Sequence, residues 1–132
     1  MDEKTLPPEM DPYEFILENI DSVPHLEALM LLWNSRPAGW TLDELASRLY
    51  VPMQKAADIL YDLLRVELIA KSDETPVRYR YLAASADQDR LMTQVDAVYR
   101  RDLVRISTMI HSKASPAIRD FARAFRFKKE RE

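Results

Sequence analysis

The chain has 132 residues, of which 47% are hydrophobic and 31% are charged, and its formal net charge is −3. These values suit a globular domain with terminal extensions and exclude a largely disordered chain. The absence of cysteine excludes disulfides and thiol catalysis, and a single glycine argues against phosphate-binding loops and all-β sandwiches. No apolar run approaches the roughly 20 residues that cross a bilayer, and the acidic start is unlike a signal peptide, so we expect a cytoplasmic location.

Charge is unevenly distributed along the chain. Residues 1–23 hold seven acids and one lysine, residues 24–83 hold eight acids and seven bases, and residues 84–132 hold seven acids and eleven bases. Because the charge of a docking face matters more than the total, the acidic whole argues only weakly against a nucleic-acid partner.

The first part of the chain predicts two helices. Residues 1–21 should form an acidic N-terminal arm and a short helix. Ser22 can then cap a second helix, because its side chain is of the type that accepts a free backbone N–H. From His25 to Trp33 this helix is apolar nearly all round, which indicates a buried helix.

Two further helical patterns follow, joined by a tight connection. Thr41 and Glu44 have the spacing of a capping box, in which each side chain satisfies the other residue's free backbone N–H. Tyr50-Val51 form the joint, and the second of these helices is predicted over residues 52–66. Its apolar positions recur at helical spacing and are Ala56, Ile59, Leu60, Leu63 and Leu64.

The pattern changes to period two over residues 68–82, which predicts a β-hairpin with a polar turn from Asp73 to Pro76. In its second strand, the predicted inward residues are Val77, Tyr79 and Tyr81, and the predicted outward residues are Arg78 and Arg80. Helix, turn, helix and hairpin in this order predict a mainly α fold with a small β-hairpin wing. We therefore expect a winged helix-turn-helix domain over residues 22–83.

The remaining segment, residues 84–132, predicts a long helix from Asp87 to about Ser112, a last helix from Ser115 and a basic-aromatic tail. The apolar stripe of the long helix is wider than a small domain can cover, so we predict a homodimer. The predicted dimerisation residues are Leu91, Val95, Val98, Tyr99, Ile106, Ile110, Phe121 and Phe125. Intramolecular packing of this helix against the first helices is the alternative. The tail could bind nucleic acid, a membrane surface or an acidic partner.

A winged helix can hold its second helix in a DNA major groove while the hairpin lies over the phosphates. The predicted DNA-binding residues are Gln54, Lys55, Arg65, Arg78 and Arg80, the first two as readers of base edges. Asp58, Asp62 and the acidic turn at Asp73-Glu74 oppose this function, because carboxylates repel phosphate unless they are neutralised. Three alternatives stay open: a winged helix kept for packing or for protein contacts, wing arginines paired with neighbouring acids, and ion pairs within the reading helix. The possible pairs within that helix are Lys55–Asp58 and Asp58–Asp62–Arg65.

Catalysis and metal binding find little support in the sequence. His25 lies in a buried helix pattern and His111 lies near a helix end, and neither has acidic neighbours at ligand spacing. We therefore expect no enzymatic activity, no metal site and no cofactor. A cleft between the winged domain and the long helix could bind a small apolar effector, although no residue pattern singles one out.

Residues 22–82 resemble bacterial winged-helix transcriptional regulators of the MarR-like class. The resemblance rests on ALMLLWNSRPAGWTLDELASRLYVP, then AADILYDLLRVELIAK, then VRYRYL. It implies a dimeric regulator that binds double-stranded DNA and whose terminal helices dimerise. The lack of a long apolar run separately predicts that the chain has no membrane partner. By position, Gln54, Lys55 and Arg65 match reading-helix residues, and Arg78 and Arg80 match the wing. Two features depart from the family: Glu67-Leu68-Ile69 replaces a segment that usually contains glycine, and the long N-terminal dimerisation helix is reduced.

Overall fold

The computed structural model describes residues 10–113, which form six α-helices and one antiparallel two-stranded hairpin. The predicted mainly α fold with a small hairpin wing is confirmed. The predicted last helix, from Ser115, lies outside the described residues. No helix within them is long and apolar enough to cross a membrane. In chain order the elements are α1 (Pro12–Asn19), α2 (Val23–Asn34), α3 (Leu42–Leu49), α4 (Met53–Arg65), β1 (Ile69–Lys71), β2 (Tyr79–Tyr81), α5 (Ala86–Arg101) and α6 (Leu103–Lys113).

The starts of α2 and α3 are set by side-chain caps. The Ser22 hydroxyl accepts the backbone N–H of His25, three residues into α2. At α3 both halves of the capping box are present, because the Thr41 hydroxyl accepts the Glu44 N–H at 3.2 Å and the Glu44 carboxylate accepts the Thr41 N–H at 2.9 Å. Pro52 stands just before α4, at the cap position, and no side chain caps this helix.

The end of α4 is a Schellman turn built without glycine. The N–H of Leu68 donates to the Leu63 carbonyl at 3.1 Å, and the N–H of Glu67 donates to the Leu64 carbonyl at 3.0 Å. This turn requires a left-handed backbone at Glu67, where φ is 62°. Glu67 therefore keeps the conformation that glycine favours, at a cost of about 1 kcal/mol.

The end of α3 has the same construction and forms the turn of the helix-turn-helix. Tyr50 has a φ of 58°, its N–H donates to the Ser47 carbonyl at 3.3 Å, and the N–H of Val51 donates to the Ala46 carbonyl at 3.1 Å. Because the left-handed residue turns outward, the Tyr50 side chain is 93% exposed. The predicted joint is thus a defined turn that presents an aromatic side chain to solvent.

The wing is shorter than predicted, and a third segment ties it to the domain. Trp40, before α3, exchanges two backbone hydrogen bonds with Tyr79, at 2.9 and 2.8 Å. Within the hairpin, Ile69 lies opposite Tyr81. The prediction that Val77 faces inward is wrong, because it precedes β2 in the turn region and is exposed.

One cluster of buried side chains draws on all the helices and both strands. The almost wholly apolar α2 lies at its centre, where the rings of Trp33 and Tyr81 meet edge to face at 4.9 Å. The short α1 packs against both α5 and α6. The core therefore holds the winged-helix elements and the C-terminal helices together in one body.

The predicted long helix from Asp87 to Ser112 is wrong in two respects. Its cap is Ser85, whose hydroxyl accepts the Gln88 N–H at 3.1 Å, and it is interrupted at Asp102 between α5 and α6. At this break the Asp102 carboxylate accepts the hydroxyl of Tyr13, on α1, at 2.7 Å. Apolar spacing continues across the interruption, so the sequence pattern alone does not reveal it.

Candidate nucleic-acid interface

The orientation of α4 is fixed by its apolar side, because Ala56, Ile59, Leu60 and Leu63 are buried against the core. The opposite side is open to solvent. It presents Gln54, Lys55, Asp58, Tyr61 and Arg65. Three of the predicted DNA-binding residues therefore share the exposed side of this helix. Tyr61 is 66% exposed on the same side, as the helical spacing predicts, although it is not among the predicted DNA-binding residues.

The first turn of α4 contains an amide and a cation. The side-chain amide nitrogen of Gln54 donates to the Asp58 carboxylate at 3.1 Å. The side-chain carbonyl oxygen of Gln54 is therefore available to accept another hydrogen bond. Lys55 is exposed and forms no ion pair or hydrogen bond with any side chain of residues 10–113. Its ammonium group is available to an external anion.

Asp62 does not project outward as the sequence suggested. One of its carboxylate oxygens accepts from Nε2 of His25, on α2, at 2.8 Å, and the other lies 3.8 Å from the Arg65 guanidinium. The hydrogen bond to His25 and the nearby Arg65 cation reduce the repulsion that this carboxylate would exert on a phosphate. Asp58 remains the acid on the outer side of α4.

The two wing arginines have different environments. The Arg78 guanidinium donates to the Gly39 carbonyl at 3.3 Å and lies 3.6 Å from the Glu44 carboxylate, on α3. A side chain at Gly39 would come within 3.0 Å of the Arg78 Cβ, which explains a glycine at this place. The alternative of pairing with a neighbouring acid therefore describes Arg78, although its partner lies on a helix rather than on the opposite strand.

Arg80 has no such partner. Its cross-strand neighbour is Ala70, and it forms no ion pair with any acid of the described part of the chain. Its side chain is exposed on the outer face of the wing. The turn beyond it carries exposed Asp73 and Glu74, so the positive charge of the wing lies on the strand rather than at the tip.

The structure places most of the predicted dimerisation residues inside a single chain. Those that are buried in its core are Leu91, Val95, Val98, Ile106 and Ile110. They pack within the body that includes α1 and α2, as the intramolecular alternative expected. Tyr99 is half-buried, and burial, with Glu27 and Asp96 nearby, raises the pKa of its hydroxyl. Phe121 and Phe125 lie outside the described residues.

A second group of polar side chains was missed by the sequence analysis. His25 is buried; its Nδ1 lies 2.6 Å from the Ser22 hydroxyl, and its Nε2 hydrogen-bonds to Asp62. The carboxylate of Asp21 completes the group. The expectation that His25 lacks acidic neighbours is therefore wrong. Asp62 is 37 residues away in the chain, so sequence spacing gave no signal of this contact.

A cavity of about 440 Å³ lies between α2, the end of α3 and α5. Its lining includes Glu27, Arg48 and Arg100 as well as apolar side chains of α2. The expected cleft is therefore present, but charged groups as well as apolar ones line it.

No protein-family model matches the chain, and no curated protein matches it. Solved structures do resemble it. A MarR family protein from Bacillus stearothermophilus is 24% identical and has a TM-score of 0.52, and the match covers 91% of this chain and 81% of that protein's chain. MepR, a transcription regulator of the Staphylococcus aureus multidrug efflux pump MepA, is 13% identical, with coverage of 89% and 84% and a TM-score of 0.53. The S. aureus MepR–DNA complex is 16% identical, with coverage of 92% and 90% and a TM-score of 0.50.

These likenesses extend over most of the described chain and include the helices outside the helix-turn-helix. At such identities they concern the arrangement of the elements rather than particular side chains. The chain has the winged-helix fold of the MarR-type structures that it resembles.

Proposed function

We propose that this chain is a DNA-binding transcriptional regulator of the MarR type that acts as a homodimer. In this proposal the reading helix, predicted over 52–66 and observed as α4, enters the major groove, and the wing, residues 68–82, lies on the backbone. The observation that carries the proposal is the pair of exposed cations Lys55 and Arg80. They stand at the start of the reading helix and on the outer face of the wing. The resemblance to MepR, for which a DNA complex is known, supports the same assignment.

Each predicted DNA-binding residue then has a role that follows from its environment. Lys55 and Gln54, in the first turn of α4, would contact base edges or nearby phosphates. Arg80 would bind the backbone directly, and Arg65 would contact phosphate at the far end of the helix. Arg78 is held by Glu44 and would mainly keep the wing against α3, so its replacement should affect DNA binding less than that of Arg80.

The dimer in this proposal uses surface that the core leaves exposed. Val104 is 82% exposed on α6, with Leu103 beside it, and Leu17 is exposed on α1. In this proposal a second copy covers these exposed apolar side chains, and Phe121 and Phe125 contribute as the dimerisation residues predicted in the last segment. A two-fold axis would then pair two reading helices on a palindromic site. Sedimentation of the wild type and Val104→Asp would test this, with a dimer expected for the first and a weakened dimer for the second.

A mobility-shift assay on fragmented genomic DNA tests the proposed function. We expect retarded fragments that share a palindromic sequence, and weaker retardation with Lys55→Ala or Arg80→Ala. Arg101→Ala, which removes an exposed cation from α5, is the matched control and should bind as the wild type does. The absence of any retarded fragment at low salt would contradict the proposal, and equal binding by all three variants would remove Lys55 and Arg80 from it.

A protein-interaction module is the second candidate function. It is favoured by the exposed aromatic side chains of Tyr50 and Tyr61 on the helix-turn-helix and by Asp58 between them in sequence. Aromatic side chains are enriched at protein interfaces, whereas an exposed carboxylate disfavours DNA. Pull-down in the absence of DNA, with and without residues 115–132, separates an adaptor from a regulator, because only an adaptor retains protein partners there. The same pull-down with Tyr50→Ser tests whether this exposed aromatic side chain contributes to partner binding.

A further inference from the structure

A buried imidazole and two carboxylates converge where the start of α2 faces α4. Nε2 of His25 lies 2.8 Å from a carboxylate oxygen of Asp62, and one carboxylate oxygen of Asp21 joins them. The three potential ligand atoms all lie within 4.8 Å of one another. They come from three places in the fold: the connection after α1, the first turn of α2 and the last turn of α4.

We propose that Asp21, His25 and Asp62 form a binding site for a divalent transition-metal ion, with Zn²⁺ as the best match. One imidazole nitrogen and two carboxylates are ligands that zinc accepts, at bond lengths of about 2.0–2.2 Å. Neighbouring ligands of a tetrahedral site at these lengths are about 3.3 Å apart. The His25–Asp62 distance therefore needs to open by about half an ångström, and water would complete the coordination.

The histidine is already oriented as a ligand. The Ser22 hydroxyl lies 2.6 Å from Nδ1, and the same hydroxyl accepts the backbone N–H of His25. When Nε2 binds a metal ion, Nδ1 carries the ring proton and can donate it to the Ser22 oxygen. Such support of the second ring nitrogen is typical of metal-binding histidines, because it fixes the tautomer and the ring plane.

A purely structural hydrogen bond is the simpler interpretation of the His25–Asp62 contact. It would tie α2 to α4 and would make Asp21 irrelevant, since that carboxylate is exposed and is not needed for the bond. Arg65 also competes for Asp62, although it approaches the oxygen that does not face His25, at 3.8 Å. The two interpretations therefore differ in what they predict for Asp21.

A consequence, which rests on the proposed function, concerns the reading helix. A cation at this site would neutralise Asp62 and join α4 to the start of α2. Both effects should favour an anionic partner at α4, the first by charge and the second by holding the helix in place. Zinc would then raise the affinity of the chain for DNA.

Calorimetric titration of the tag-free, chelator-treated full chain with ZnCl₂ tests the site, with Co²⁺ absorption as a spectroscopic readout. We expect one ion per chain and a Co²⁺ spectrum of low coordination number. Asp21→Asn should weaken zinc binding about tenfold or more. Asp58→Asn, which makes the same charge change on the outer side of α4, and His111→Ala, which removes the other histidine, should leave it unchanged.

Equal zinc affinities for Asp21→Asn and Asp58→Asn, or no binding by the wild type, would overturn the site. Asp21→Asn leaves the His25–Asp62 hydrogen bond in place, so misfolding is not expected to obscure the result. DNA binding with and without zinc is measured separately. Failure to bind DNA in either state counts against the proposed function and leaves the titration result standing, whereas equal DNA affinity in both states overturns the coupling.

Discussion

The winged-helix region from Trp40 to Leu82 differs from the flanking helices α1, α5 and α6 in the contacts that stabilise it. In the first, the helix ends and turns are set by bonds between near neighbours, such as the capping box of Thr41 and the Schellman turn at Glu67. The second depends on contacts between distant segments. Tyr13 hydrogen-bonds to Asp102, 89 positions along the chain. Lys113 donates to the carbonyl of Leu17, in α1, and to that of Ile20, just after it.

This difference explains which features could be predicted from the sequence. The caps, the two helices of the helix-turn-helix and the hairpin have signals within four or five residues, so the winged-helix fold was predicted correctly. The break at Asp102 was not, because periodicity continues through it and the side chain that hydrogen-bonds to Asp102 lies on α1. The stripe of α5 was correctly identified as apolar, but periodicity does not tell whether a stripe faces its own chain or a second copy.

The same limit applies to the candidate sites. Exposure of Lys55 and Arg80 follows from helix and strand periodicity, so these residues could be chosen in advance. The pairing of Arg78 with Glu44 and of His25 with Asp62 could not, because each pair joins two elements whose relative position depends on the whole core. Polar pairs between distant residues are thus the part of a site that a single sequence does not predict.

The largest effect is expected from replacing a buried residue of the apolar stripe that continues from α5 into α6. Ile106 is fully buried, so Ile106→Ala should lower the free energy of unfolding by about 2–5 kcal/mol. Ser112→Ala, which changes an exposed side chain of the same helix, should change it by less than about 0.5 kcal/mol. Urea unfolding measures both. A normal unfolding curve for Ile106→Ala, together with a dissociated dimer, would instead show that the stripe serves a second copy.

The contact between the wing and α5 should be sensitive to alkaline pH. Burial raises the pKa of the Tyr81 hydroxyl from 10.0 to about 12; the hydrogen bond from Gln88 lowers it, and Asp89 raises it further. Because the folded chain holds this proton more tightly, the contribution is complete below pH 10 and is lost as the pH rises through 12. It amounts to about 1–3 kcal/mol.

Urea unfolding between pH 9 and pH 12 tests this dependence. We expect the free energy of unfolding to fall less steeply with pH for Tyr81→Phe than for the wild type, since phenylalanine has no proton to lose. The other tyrosines and the lysines titrate in both proteins and provide the common background. Identical slopes would mean that the Tyr81 hydroxyl is not held in its neutral form by the wing–α5 contact.

A single long-range hydrogen bond offers a smaller test in the helical region. Tyr13→Phe removes the donor to Asp102 and should cost about 1–2 kcal/mol of unfolding free energy, because the acceptor is a partly buried carboxylate. Tyr61→Phe removes an exposed hydroxyl and should have almost no effect. Thermal unfolding of the two variants compares them directly, and equal melting temperatures would show that the Tyr13–Asp102 hydrogen bond adds no stability.

The smallest expected effect is a gain in the winged-helix region. Glu67→Gly relieves the left-handed strain after α4, offset in part by the greater freedom of glycine in the unfolded chain. The net increase in unfolding free energy should be about 0.5–1 kcal/mol. Asp73→Gly, where the backbone is not left-handed, should be neutral or destabilising. A loss of stability with Glu67→Gly would argue that the glutamate side chain makes an interaction worth more than the strain.

We propose that the start of α4 and the outer face of the wing bind DNA phosphates. Fluorescence anisotropy of a labelled duplex, titrated at several salt concentrations, measures it most directly. The double variant Lys55→Ala/Arg80→Ala should bind more weakly, and its slope of log affinity against log salt should fall by about one unit for each phosphate that the variant no longer neutralises. The control Arg90→Ala/Arg101→Ala, which removes the same charge from α5, should keep the wild-type slope. Equal slopes for both double variants would contradict the claim.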